Sequence, residues 1–262
     1  MHKQLTYKAF KAQADHSYST ALSGKLPLFK GITWDKELSD YLLVAPITFM
    51  RTSKTASKNG NTYNILLNNL PSWQNFPLRQ KSLIATTSLS TAKSFSVPFP
   101  AQGLTFGRTY RVLPKNMSTV VISPKSDIWY CFDDSLKQEL EIDNTISLKQ
   151  FNRYIAEIAT ALGFDNSFDK NWPLFNDFIT ALLKANCSSR KHLSKIARKL
   201  FDRLKDNKTD ILGYLDRVLG PTKNDFRARV YSAHSNLRGL PDNEVWTDSC
   251  CLLVEEKVFQ NL

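Results

Sequence analysis

Three short segments carry side chains that could act together on a phosphate-bearing sugar. ITFMRTS places Arg51 at the end of an apolar run. IATTSLSTAKSF places the hydroxyls of Thr86, Thr87 and Ser88 ahead of an Ala/Phe turn, and PDNEVW places Glu244 just before another apolar run. A planar guanidinium grips a pyrophosphate through paired hydrogen bonds and is a better fixed partner than a lysine ammonium. A carboxylate beside a ribose stabilises the oxocarbenium character that develops as a glycosidic bond breaks, and it can accept a hydrogen bond from a ribose hydroxyl. A threonine hydroxyl can orient that carboxylate. Metal and histidine chemistry have less footing. Cys131, Cys187, Cys250 and Cys251 form no CxxC and no zinc-type spacing with the scattered His2, His16, His192 and His234.

The elements that must position these residues can be read from pattern. YLLVAPITFMRT is dense in β-branched and aromatic residues and predicts a buried strand ending near Arg51; NTYNILL predicts a second short strand. Ser82 to Thr86 reads as a strand passing into a helical turn near Ser90, and GRTYRVLP and STVVISP alternate as further strands. Residues 135 to 220 change character. A Ser147…Gln150 capping box precedes Phe151, Tyr154, Ile155 and Ile158 at helical spacing, and further helices are expected over Leu174–Leu183, from Ser188-Ser189 onward, and over DILGYLDRVLG up to Gly220-Pro221. NEVWTDSCCLLVEEKVF then returns to strand as a hairpin, with Cys250 and Cys251 on opposite faces and Glu255 and Glu256 as exposed edge charges.

This order resembles the Arg-Ser-Glu class of ADP-ribosyltransferases. That family shows a strand Arg, then an S-T-S strand leading to a helix with A…F, then a loop ending in E-x-E or Q-x-E before the next strand. The resemblance covers roughly residues 41 to 130 and 235 to 260. It implies that Arg51 positions NAD, that Thr86-Thr87-Ser88 stand for S-T-S with Ala92 and Phe95 packing beyond, and that Glu244 is the catalytic acid. It further implies that Thr86 holds Glu244, that Thr87 or Ser88 shapes the nicotinamide pocket, and that Asp242, in place of the family's Glu or Gln, selects the acceptor. Phe95 and Tyr63 are the aromatic candidates for contact with nicotinamide, and Arg79 for contact with adenine or phosphate.

The fold so implied is α+β: a split, strongly twisted, mixed β-sheet core of ADP-ribosyltransferase type over 41–134 and 235–262, a helical insert over 135–234 and a lead-in segment over 1–40. The activity so implied is mono-ADP-ribosyl transfer from NAD, as co-substrate, to a protein or nucleic acid acceptor, or to water as an NAD glycohydrolase, in the style of a bacterial or phage toxin-like modifying protein.

Composition sets the bounds. The chain has 262 residues, 42% hydrophobic, with a net charge of +11, enough for one sizeable core and a helical satellite and favouring anionic partners. No apolar run approaches the roughly 18 residues of a membrane span, and no apolar leader follows Met1, so a cytoplasmic protein without a membrane partner is expected. Positive charge is concentrated. Phe76 to Tyr130 holds seven Lys/Arg against Asp127 alone, and residues 176 to 240 hold 14 against six acids. A rival reading is therefore a non-enzymatic basic protein that binds nucleic acid, with Lys191, Lys195, Arg198, Lys199 and Lys205 on one helix face.

Overall fold

The computed structural model describes residues 2–22, 27–45, 62–143, 146–165, 167–207, 210–232 and 242–262. In chain order the first elements are β1 (His2–Gln4), α1 (Tyr7–Ser17), α2 (Ser19–Leu22), β2 (Leu28–Trp34), β3 (Tyr41–Val44) and α3 (Thr62–Asn69). There follow β4 (Leu83–Thr86), α4 (Leu89–Ser94), β5 (Phe106–Pro114), β6 (Thr119–Ile122), α5 (Asp133–Leu140), α6 (Leu148–Ala161) and α7 (Trp172–Lys184). The chain ends with α8 (Lys195–Asp206), α9 (Ile211–Leu219), β7 (Arg227–Val230), β8 (Glu244–Thr247), β9 (Cys251–Glu255) and α10 (Glu256–Phe259). It divides into two compact units, one of Met1–Met50, Phe76–Ser126 and Arg227–Leu262 and one of Arg51–Asn75 and Asp127–Phe226.

The first unit is built on one sheet in the order β1-β3-β9-β5-β2-β4-β8-β6-β7. Every pairing in it is antiparallel, so the expected mixed sheet is corrected. Residues 1–40 are no lead-in. They supply an edge strand, a central strand and α1, whose Phe10 and Ala14 are buried with Leu28, Leu42, Val112 and Leu252 in the core. Nor do β8 and β9 form a hairpin. Both are buried on each face and suit interior positions, so β8 pairs with β4 and β6 while β9 pairs with β3 and β5. The sheet is nearly divided at its middle. β2 and β5 share seven paired positions, whereas β2 and β4 share one, Phe29↔Thr86. The C-terminal acids are not free edge charges either. Glu255 binds Arg108, and Glu256 binds Arg111 through both carboxylate oxygens, with that guanidinium lying between the rings of Phe29 and Phe259.

The second unit is helical. The capping box is present at α6, where Gln150 Oε1 accepts from the Ser147 amide and Ser147 Oγ accepts from the Gln150 amide. NTYNILL is helix α3, not a strand. A short apolar run does not fix its own period, and here Tyr63, Ile65, Leu66 and Leu67 are all buried while Thr62 is tied by its amide and hydroxyl to Asp169. The helix expected from Ser188 starts instead after Ser194, whose Oγ accepts from the Ala197 amide. Three of the five cations expected on the basic face have structural partners. Lys205 Nζ donates to the carbonyls of Leu182, Leu183 and Ala185 at the end of α7, Lys199 Nζ to Leu140 and Glu141 at the end of α5, and Arg198 to Leu193. Unpaired carbonyls and the negative end of the helix dipole attract such charges. This part of the basic face closes helix ends and is not a uniformly solvated strip. Among the described residues, no helix is long and apolar enough to cross a membrane.

Candidate active site

β4 and β8 run antiparallel with Ala85 opposite Val245 and Thr86 opposite Glu244. Directly paired residues share a face of the sheet, so Thr86 and Glu244 stand side by side, with Phe29 of β2 next in the same row. Both are buried, Thr86 at 6% and Glu244 at 7% exposure. A buried carboxylate needs a partner, and this one has Arg79, whose Nε donates to Oε1 at 2.7 Å and whose Nη2 donates to Oε2 at 3.0 Å. The backbone that carries Arg79 is held to the same strand. Trp246 Nε1 donates to the Pro77 carbonyl at 2.9 Å, and Ser82 Oγ donates to that of Leu78 at 2.8 Å.

The second carboxylate, Asp242, is exposed and held differently. Thr86 Oγ1 donates to Asp242 Oδ1 at 2.8 Å, and Thr91 Oγ1 of α4 donates to Oδ2. Thr86 therefore orients Asp242, and Arg79 orients Glu244, which corrects the expectation that Thr86 holds the glutamate. Geometry explains the exchange: the Thr86 hydroxyl also accepts from the Ser88 amide, which turns it toward α4 and the residue preceding β8. The rest of the triplet braces the same corner. Thr87 Oγ1 accepts from the Asn243 amide, the Thr87 amide donates to the Asn243 carbonyl, and Ser88 caps α4 by accepting from Thr91. From the other side, Asn243 Nδ2 donates to the Ser123 carbonyl and the Glu244 amide to that of Lys125.

No protein-family model, curated protein or solved structure matches the chain. The site's own residues carry its reading.

Of the other expected residues, Arg51 lies outside the described residues. The strand expected to lead to it is β3, and β9, β5 and β2 stand between β3 and β4. The strands beside β4 are β8, which has no cation, and β2, whose single cation is Lys30. Phe95 closes α4 and is 66% exposed, so it is not the packing residue implied by the A…F pattern. Tyr63 belongs to the helical unit, where it is buried and its ring packs on Trp129 with centroids 4.6 Å apart. Thr91 was not singled out by sequence. Its signal was present, since the residue three after an N-cap serine lies one turn into the helix, near the capping end. Among the described residues, no group of three or more His, Cys, Asp or Glu could hold a metal ion.

Proposed function

We propose that this site binds NAD and transfers its ADP-ribose to a macromolecular acceptor. One observation carries the reading: a threonine and a glutamate, separated by more than 150 residues of chain, are cross-strand partners on one face where the sheet is nearly divided, with an arginine on the glutamate. In the reaction, the bond from ribose C1′ to the pyridinium nitrogen breaks and its electron pair leaves with nicotinamide, which departs neutral. The acceptor's nitrogen or oxygen forms the new bond to C1′ and gives its proton to solvent. Glu244 stabilises the positive charge that develops on the ribose, in a place where water is largely excluded. Asp242, exposed beside it, faces the incoming acceptor. When no acceptor group is in place, water attacks and the protein acts as an NAD glycohydrolase.

The test is incubation of the full chain with NAD labelled in the adenylate and with separate protein, DNA and RNA pools, measuring free nicotinamide and label retained on polymer. Release should be abolished in E244Q with the fold intact. Equal nicotinamide release from wild type and E244Q, or none from wild type, would refute the proposal.

A further inference from the structure

We propose that Arg79 makes the site selective for nicotinamide ribosides that carry a pyrophosphate, because the guanidinium leaves Glu244 only when a pyrophosphate takes it. This rests on the reading of Glu244 as the NAD-cleaving carboxylate.

The pairing of Arg79 with Glu244 is bidentate and occupies one lone pair on each carboxylate oxygen, with the two side chains 14% and 9% exposed. A carboxylate so paired is electrically compensated. It can still accept a hydrogen bond, but it offers little net negative charge to an oxocarbenium ion, and electrostatic stabilisation is what the reaction needs from it. The charge must therefore be uncovered when substrate binds. A pyrophosphate suits that exchange: it presents the same fork of oxygens that a guanidinium recognises in a carboxylate, and it brings two negative charges where Glu244 has one.

The surroundings favour a swing of the side chain alone. Pro77 and Leu78 are anchored by Trp246 and Ser82, so the Arg79 backbone is fixed within reach of β8. The site's other carboxylate, Asp242, is already held by the hydroxyls of Thr86 and Thr91, and the stretch Phe76–Ser126 contains seven Lys/Arg and no acid. A phosphate-free nicotinamide riboside would leave Arg79 where it is and Glu244 neutralised. The full dinucleotide would take Arg79 away and set Glu244 free beside the ribose. The energy of a remote, non-reacting part of the substrate is thereby spent on activating the reacting end.

The experiment uses the full chain and measures nicotinamide released from NAD and from nicotinamide riboside, the latter with and without inorganic pyrophosphate. Wild type should cleave NAD and be slow on the riboside, and added pyrophosphate should raise riboside turnover about 5- to 150-fold, the usual range for coupling between two ligands. In R79Q, riboside turnover should rise and the response to pyrophosphate should vanish. If wild type turns over the riboside as fast as NAD, or pyrophosphate leaves riboside turnover unchanged, the assignment of Arg79 is overturned while the reading of the site stands. If wild type releases no nicotinamide from NAD, it is the reading of the site that fails. The wild-type arms decide the matter even where R79Q does not fold.

Discussion

A double-mutant cycle on Arg79 and Glu244 tests the energetic core of the site without reference to any substrate. The pair is mostly buried, at 14% and 9% side-chain exposure, with two hydrogen bonds of 2.7 and 3.0 Å. Two unit charges about 4 Å apart attract by about 4 kcal/mol at the effective dielectric of about 20 that suits such sites. Removing one partner strands the other, at a typical cost of about 3–5 kcal/mol. R79M should fall in that range, because Glu244 is short and sits on an interior strand with only 9% of its side chain exposed. E244M should cost less, about 1–3 kcal/mol, because the long arginine side chain can turn its head outward. R79M/E244M should recover to within about 2 kcal/mol of wild type, since a buried ion pair replaced by apolar residues of similar volume is often neutral. Urea denaturation of the four proteins gives the coupling term, expected from those ranges at about 2 kcal/mol or more. If the single losses sum to the double within about 0.5 kcal/mol, the pair is uncoupled and the argument that Arg79 governs Glu244 is refuted.

Three further outcomes follow from the same geometry. G31A should lose about 3 kcal/mol or more, because a Cβ there would fall inside the Ala92 carbonyl oxygen and 2.8 Å from the Phe95 carbonyl carbon, backbone that cannot step aside; an unchanged thermal midpoint would contradict the close approach of α4 to β2. K205M should lose about 1–2 kcal/mol and deprotect the last turn of α7 to hydrogen exchange, having removed three hydrogen bonds to its final carbonyls, whereas unaltered exchange would return Lys205 to the solvated face. Cys250 is exposed and should react with a thiol reagent in the native state, while Cys251 should not, since burial pushes its thiol well up. Burial likewise raises the Tyr18 phenol from 10.0 to about 12, with the neighbouring cysteines adding to it. Both groups fold in the protonated form, so their contribution is full below their ordinary values and lost as pH rises toward the raised ones. The urea midpoint should accordingly fall above the ordinary thiol value of 9.0, and a midpoint level through pH 11 would disprove this linkage.

Much of the sheet was legible because its strands advertise themselves. β4, β5, β6, β8 and β9 are each legible as alternating or continuous apolar runs, and the resemblance in motif order, not the strand pattern, is what puts Thr86 and Glu244 in one site. What could not be read was long-range pairing. Val245-Trp246 and Leu252-Leu253 look like the arms of one hairpin, and only the sheet reveals that each has two other neighbours. β2 is hard to see within 1–40 because the dipeptide Lys30-Gly31 has the composition of a turn. Gly31 is there for the close passage of α4, not for a turn. α3 is not legible as a helix because eight residues are too few to separate a buried helix from a buried strand. Within the site, residue types were legible and partners were not, since a hydroxyl and a guanidinium can each serve either carboxylate.

The outcome of that choice bears on mechanism. Asp242 lies two residues before Glu244, in the bend that leads into β8, and the two carboxylates have different classes of partner. Glu244 is buried against a single fixed guanidinium, which a more highly charged anion can displace as a unit. Asp242 is exposed and bound by neutral hydroxyls from β4 and α4, which hold its position without cancelling its charge. A site with two carboxylates can divide their labour only where their environments differ. Here the difference is built from residues close to Thr86: Thr86 and Thr91 serve Asp242, and the turn that leads into β4 supplies Arg79 to Glu244. A substitution at Thr86 should therefore reach Asp242 first and change what the acceptor meets, while a substitution at Arg79 should change what the donor must carry. The two halves of the proposed reaction are thus separable by mutation on one short stretch of chain.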